Sequence, residues 1–577
     1  MGKFFKDKYF WILAAVCAVS LFLFLGASDF HTKGEPREAL VAYAMLDMDN
    51  WALPMTNGVD MAYKPPMFHW MIAAISSITG VVTEYTSRMP SAISLAVMIL
   101  ACYIFFAKRG GREVAMLASL LALTNFEVHR AGMNCRVDML LAAFMVLALF
   151  QLYKWGEKGL KGVPVLAILS LSGAFLTKGP VGLVLPCGVV ALFLLIRGMN
   201  FFRIFFSFLA VALASFIIPA FWYYAAWQQG GEPFLALVLE ENVLRFLGKM
   251  SYSSHENPWP YNVMTVITGF VPYTILVLLS LFTLTYTKFT AQPKEWWGKF
   301  VAWIKNMDDA RLFSLLSIVV MFVFYCIPKS KRSVYLLPIY PFIAYFLAEY
   351  ILWLVKNRPK SVKWFNGVMC SLVILLSAVF AVVRCGLVPH SLFEGKHAAE
   401  NLAMLGALEN LPLGLNLVVT FLPIAVVVWY IRQQKRGGEA LTGKKIAYAG
   451  IALTFTLFLA LDGVYQPAVL NVKSNKQVVE KILEVVPEGT MYSYITNTDI
   501  GNRLHHFTIN FYMGNRVVPF VDFAPEEGYV LVGKKEYDSF MQNYGGSYCI
   551  EKVEEIGEFK SNDTRDITSL YRFSKKQ

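Results

Sequence analysis

Fourteen apolar stretches of roughly 15 to 22 residues follow one another between residues 10 and 462, separated by short charged clusters. A bilayer core takes about 20 apolar residues in a helix, and only helices or closed barrels satisfy their backbone inside it. The pattern therefore predicts a bundle of membrane helices, with the shorter stretches extended by flanking polar residues. From residue 463 the pattern changes. Lys473–Val486 has the period of an amphipathic helix, Met491–Ile495, Phe507–Met513 and Tyr529–Val532 alternate like strands, and Tyr537–Tyr544 is again helical. The predicted fold class is an all-α polytopic membrane domain over 1–462, with about thirteen spans, and a small extramembrane α/β domain over 463–577.

Composition agrees with this division. Of the 577 residues 56% are hydrophobic and only 16% charged, against about 25% charged in soluble proteins. The net charge of +12 suggests nucleic acid at first sight, but the last 115 residues hold 13 basic and 15 acidic side chains, so the excess lies among the membrane segments. The eight cysteines show no paired spacing, which argues against a disulfide framework or a zinc finger. No small-residue cleavage site follows the first apolar run, so a cleaved signal peptide is not expected.

Charge placement orients the chain. Lys3, Lys6 and Lys8 put the N-terminus in the cytoplasm, and the other dense basic loops fall on that side if 67–83 does not cross. That segment follows Lys64-Pro65-Pro66 and contains His69 and Trp70, as an interfacial helix would. The C-terminal domain is then outside. Fourteen basic residues remain on the disfavoured outer side, Lys331 and Arg332 among them. Cations gathered there suit an anionic lipid headgroup.

The long outer loops, 29–66 and 226–262, carry most of the candidate chemistry. Glu35 and Pro36 open a short helix whose dipole favours the carboxylate, and Asn57-Gly58 marks a turn. Asp138 stands with Arg136 where an outer loop becomes a helix, and charges at a membrane edge are costly unless used. His255, beside Trp259 and Tyr261, is a candidate metal ligand or base.

Taken in order, these residues resemble a known family. They are Glu35-x-Arg37 with Trp51-x-x-Pro54, Tyr63-Lys64-Pro65-Pro66, Arg88-Met89-Pro90-Ser91, Arg136-Val137-Asp138, Thr177-Lys178-Gly179-Pro180, Arg245 with His255 and Pro258-Trp259, and Lys331-Arg332 with Tyr335. The series, over about residues 10–345, is similar to the polyprenyl-phosphate-dependent glycosyltransferases of the GT-C fold. It resembles in particular the bacterial lipid A aminoarabinose transferases and, more distantly, the protein O-mannosyltransferases. The resemblance implies an inner-membrane enzyme that moves a sugar from an undecaprenyl phosphate carrier to an acceptor on the periplasmic side. Glu35 and Asp138 would then be catalytic, and Lys64, Lys178, Lys331 and Arg332 would hold the donor phosphate. Arg37, Arg136, Tyr63, Arg245 and Tyr335 would orient substrate.

Two positions depart from the family. Gly34 stands where the family's favoured base, an aspartate, is usual, and Tyr63 where the aminoarabinose branch often has glutamate. Both changes argue against a bound metal, and no other cofactor is expected. A sugar hydroxyl needs a base to attack, whereas a lipid A phosphate is already ionised at neutral pH. Loss of the aspartate therefore points to lipid A phosphate as the acceptor, with Glu35 as an alternative base, and the resemblance implies 4-amino-4-deoxy-L-arabinose as a candidate sugar. The competing readings are a transferase or ligase with a protein or glycan hydroxyl acceptor, and a transporter of lipid-linked sugar. Transporters show internal repeats and midplane polar groups, neither of which is visible in the sequence.

Overall fold

The computed structural model describes residues 6–249, 256–286, 293–395, 397–412, 414–435, 441, 443–496 and 503–576. Ten helices lead through the first part of the chain: α1 (Lys8–Phe22), α2 (Gly34–Asp47), α3 (Met67–Thr79), α4 (Glu84–Ala107), α5 (Arg112–Leu123), α6 (Phe126–Gly132), α7 (Val137–Glu157), α8 (Val165–Lys178), α9 (Val181–Ile196) and α10 (Phe201–Leu239). Their ends follow local chemistry. A capping box starts α4, with the Thr86 N–H donating to Thr83 Oγ1 and the Thr83 N–H to Thr86 Oγ1. Gly80, at φ 80°, stops α3 after thirteen residues.

α7 is the most enclosed helix. It packs against α4, α8 and α9, and its Phe150 stacks on Phe105 at 4.1 Å. At the rim, α10 leaves Phe202, Phe206, Leu213 and Phe221 exposed. An apolar surface of that extent is stable only against hydrocarbon. Among the described residues seven helices are long and apolar enough to cross a membrane, or eight if the bent pair Tyr261–Gly269 and Tyr273–Leu281 is one span. Four shorter apolar helices accompany them: α1, α3, α8 and α9. Length and composition alone do not yield thirteen.

Two predicted segments come out differently. Where the sequence predicts loop over 226–262, α10 runs on to Leu239 and a π-helical turn continues through Leu244. The chain changes direction at Gly231, whose φ of 58° and ψ of −151° only glycine adopts readily. The predicted strand Phe507–Met513 is instead the helix Phe507–Tyr512.

The C-terminal part is a mixed sheet of β3 (Met491–Tyr494), β4 (Val517–Pro519), β5 (Glu527–Gly533), β6 (Tyr548–Lys552), β7 (Phe559–Lys560) and β8 (Ile567–Lys575), in the order β4-β3-β5-β8-β6 with β7 also on β8. It is joined to the bundle by more than a linker. Phe507 and Phe511 share an apolar cluster with Phe30, Leu40 and Phe68. The Phe30 N–H donates to the Tyr512 hydroxyl at 2.8 Å, and that hydroxyl donates to Glu84 at 2.8 Å.

Candidate active site

Four helix ends meet at one face of the bundle: the end of α1, the start of α2, and the starts of α4 and α7. Glu35 ties them together. Its carboxylate accepts from Arg88 Nε at 2.8 Å and Nη2 at 3.1 Å, and from the Cys135 N–H at 2.9 Å. Arg88 Nη1 also donates to the carbonyls of Leu25 and Ser28. Burial alone would raise the Glu35 pKa, but the Arg88 charge and these hydrogen bonds outweigh it and hold the carboxyl below its ordinary range. Every oxygen of Glu35 is therefore engaged in the scaffold.

Glu38, one turn along α2, stands differently. Lys64 Nζ lies 3.2 Å from its Oε1, Arg37 Nη2 3.4 Å from the same oxygen, and His69 Nε2 2.9 Å from its Oε2. Against the opposing effect of burial, Lys64, His69 and Arg37 keep this carboxyl well below the usual value. Lys64 is pushed the other way, its pKa lowered by burial and by Arg37 despite the pull of Glu38 and Glu241. Beside Lys64, the Tyr63 hydroxyl donates to Glu241 at 3.3 Å and Arg245 donates to the same carboxylate at 2.6 Å. The two long loop regions thus converge on one point.

Arg136, the residue before α7, bridges to a second cluster. Its guanidinium covers Gly34 so closely that a methyl group there would overlap Nη2. It feels the charges of Glu38, Arg37, Arg332 and Asp138. Asp138, in the first turn of α7, is paired with Lys178 at the end of α8. Lys178 Nζ sits 4.1 Å above the Tyr335 ring, within cation–π range. Gly179, with φ 78° and ψ −156°, ends α8 just beyond Lys178.

A cavity of about 270 Å³ opens beside Glu38, lined by Arg37, Lys64, His69 and the hairpin of β1 (Met55–Thr56) and β2 (Asp60–Met61), and walled by Arg503, Leu504 and Phe507 of the C-terminal part. A concave site mixing apolar walls with convergent charges is a natural ligand site.

The chain is similar to several known proteins. Residues 63–224 match the family described as dolichyl-phosphate-mannose-protein mannosyltransferase. The chain is 26% identical over 396 residues to the undecaprenyl phosphate-alpha-4-amino-4-deoxy-L-arabinose arabinosyl transferase 2 of Proteus mirabilis, covering 65% of each. It is 25% identical over 382 residues to the corresponding transferase of Shewanella sediminis, covering 63% of this chain and 64% of that one. These alignments span just under two thirds of the relatives' length. The fold matches the crystal structure of ArnT from Cupriavidus metallidurans bound to undecaprenyl phosphate, with a TM-score of 0.67, 20% identity and 97% of both chains covered. The chain has the GT-C fold of these membrane glycosyltransferases.

Within this fold the sequence-derived site residues fall into three groups. Asp138, Lys178, Arg136, Arg332 and Tyr335 form one cluster, and Arg37, Lys64, Tyr63 and Arg245 gather around Glu38 and Glu241. Glu35 and Lys331 are turned to structural contacts. Lys331 is buried and donates to the carbonyls of Asn257 at 3.1 Å and Pro328 at 2.6 Å, which leaves it facing the loop instead of a ligand. His255 lies outside the described residues. Among the described residues no group of three His, Cys, Asp or Glu could hold a metal. Glu38, His69 and Arg503 were not singled out by the sequence. The spacing of Glu38 three residues after Glu35 puts both on adjoining helix faces, a signal too common to select it.

Proposed function

We propose that the protein transfers a sugar, 4-amino-4-deoxy-L-arabinose or a close relative, from undecaprenyl phosphate to a phosphate group of lipid A at the periplasmic face of the inner membrane. The observation that carries this reading is two cation clusters, Lys64 with Arg37 lining the cavity and Lys178 with Arg332 beside Asp138, on a fold shared with an undecaprenyl phosphate-binding protein.

The chemistry balances without a base. The acceptor phosphate, a monoester dianion, attacks the anomeric carbon. The bond from that carbon to the carrier oxygen breaks and its electron pair stays on undecaprenyl phosphate. The carrier gains one negative charge while the acceptor phosphate loses one, and no proton moves. Lys64, Lys178 and Arg332 are placed to stabilise the charge that grows on the leaving phosphate. Asp138 holds Lys178, and Glu38 holds Lys64, so both carboxylates position cations at the reacting centre. A hydroxyl acceptor would require a proton acceptor, and Glu38, lining the cavity, is the carboxylate in place for it.

The test uses purified full-length protein with radiolabelled undecaprenyl-phosphate sugar and lipid A, read by mass spectrometry. One added sugar on a lipid A phosphate supports the reading. Asp138→Asn and Lys64→Ala are expected to lower turnover by about 100-fold or more while membrane expression is unchanged. Donor consumption with unmodified lipid A would move the acceptor to a hydroxyl, and no donor consumption would remove the transferase assignment of these residues.

A further inference from the structure

The helix Pro293–Asn306, which precedes the span Asp309–Cys326, takes no part in the candidate site. Its place is set by α9. That helix starts just beyond Lys178 and Gly179 and ends at Ile196, and its sixteen residues at 1.5 Å each carry it about 24 Å, close to the thickness of a bilayer core. At its far end Arg197 Nη1 donates to the Lys305 carbonyl at 3.1 Å and Nη2 to the Met307 carbonyl at 2.5 Å. The helix Pro293–Asn306 is thereby pinned by its last turn at the membrane face opposite the site. Four residues on from Arg197, α10 begins its exposed apolar belt with Phe201, Phe202 and Phe205, so hydrocarbon starts at this level.

The sequence of the pinned helix divides it lengthwise. At 3.6 residues per turn Trp297, Phe300, Val301, Trp303 and Ile304 fall within one half of its circumference, and Lys299 and Lys305 stand on the two flanks. The bundle takes part of the apolar side, through Ile304 and, just past the helix, Met307, which join its core. Trp297 and Trp303 stay 62% and 55% exposed, in a row with Phe300 at ring separations of 5.7 and 6.0 Å. An indole in such a place is best served by the boundary between headgroups and acyl chains, with its ring in hydrocarbon and its N–H wet. The charge around it is basic. Lys299 and Lys305 are exposed, as are Lys158, Lys161 and Arg203, whose guanidinium reaches the Gly159 carbonyl at the same membrane face. The carboxylates nearby are taken: Glu157 by Arg109, Asp308 by Arg311 and Asp309 by Arg197. Exposed indoles flanked by free lysines complement a surface that is apolar within and anionic at its edge.

We propose that the helix Pro293–Asn306 lies in the membrane plane and binds anionic phospholipid in the leaflet opposite the candidate site. Trp297 and Trp303 enter the upper acyl region, and Lys299 and Lys305 pair with net-negative headgroups. The inference is independent of the reaction proposed above, since none of these residues touches the site.

The experiment uses the full chain in nanodiscs of equal parts phosphatidylcholine and phosphatidylglycerol, with one lipid or the other carrying a photoactivatable headgroup. Adducts on residues 293–306 are read by peptide mass spectrometry. Phosphatidylglycerol adducts are expected to exceed phosphatidylcholine adducts severalfold. Lys299→Gln with Lys305→Gln should reduce that preference by about fivefold for each lysine, with thermal unfolding unchanged because both side chains are exposed. Trp297→Ser, tested separately, should lower the adducts of both lipids. Equal labelling by the two lipids in wild type, or a preference that survives the double substitution, overturns the anionic site. A helix labelled by neither lipid overturns its place in the membrane. So does a dimer in which a second copy covers Trp297 and Trp303 and which Trp297→Ser disperses.

Discussion

Glu35 and Glu38 sit three residues apart on α2, both buried, and their partners give them opposite roles. Glu35 is closed off by two hydrogen bonds from Arg88 and one from the Cys135 backbone, so its replacement should be felt in folding. Removing one member of a buried pair leaves the other uncompensated, at a cost of about 3–5 kcal/mol. Glu35→Gln should lower the melting temperature while the folded fraction retains its kcat. Glu38→Gln should also lower the melting temperature, because the buried His69 loses its partner, but unlike Glu35→Gln it should in addition raise the donor KM or lower kcat by about tenfold, because Lys64 loses its anchor. Thermal unfolding and steady-state kinetics on the two variants check this, and the reverse pattern would return catalysis to Glu35. The sequence carried the residue types and the order of the motifs, which sufficed to bring Asp138 and Lys178 into one site. It could not show which carboxylate Arg88 would claim, since that pairing spans 53 residues. Arg136 over Gly34 is of the same kind. The sequence shows a missing aspartate, and only the packing reveals that a guanidinium fills its place.

Among the secondary elements, the helix Phe507–Tyr512 shows why local pattern misleads. Five successive residues, Phe507 to Phe511, are all buried, so neither a helical nor a strand period survives, and the aromatic and β-branched content favours a strand. What makes it a helix is remote: Asp563 accepts from the Thr508 N–H at 2.8 Å and from its hydroxyl at 3.2 Å. Burial pushes the Asp563 carboxyl up to about 6, even against those hydrogen bonds. Burial and the neighbouring His505 push His506, which lies 2.9 Å from Ser561, down to about 4. The two groups act in opposite directions. Asp563, raised in the folded state, contributes stability that is full below its unfolded value near 3.8 and is lost as pH rises through 6. His506, lowered in the folded state, contributes stability that is present above 6.5 and is lost as pH falls towards 4. In Asp563→Asn, acidification from pH 7 to 4.5 should therefore lower the melting temperature of the domain. In His506→Gln the same change should raise it, and wild type should fall between. Identical slopes in the two variants would contradict these assignments. The amphipathic helix Lys476–Val485 is legible because it buries one face, and strand β5 because Tyr529–Val532 is a short aromatic and β-branched run buried on both faces.

For the whole molecule, the sequence conveyed the architecture well, because membrane helices announce themselves by length and apolarity. The number of spans was less legible. Several helices are short, and α10 runs well past its apolar stretch before bending at Gly231. The basic loops alone predict the orientation, with the sheet domain expected outside the cytoplasm. Cys549 on β6 is exposed, so in a Cys385→Ser background a membrane-impermeant maleimide should label it in intact spheroplasts. Labelling that appears only after permeabilisation would invert the molecule and with it the side on which sugar transfer occurs.

The joint between the sheet domain and the bundle is an aromatic cluster of Phe30, Phe507 and Phe511, reinforced by Tyr512 between Phe30 and Glu84. A domain seated this way does not swing like a lid, because parting it from the bundle would expose those rings to water. The roof of the chamber is therefore fixed, and traffic has to pass sideways. On the proposed function, both lipids would slide in from the plane of the bilayer with their tails still in hydrocarbon, and the spent carrier would leave by the same lateral doorway. Turnover would then be governed by how fast lipids exchange at that threshold, making the enzyme sensitive to the fluidity of the membrane around it.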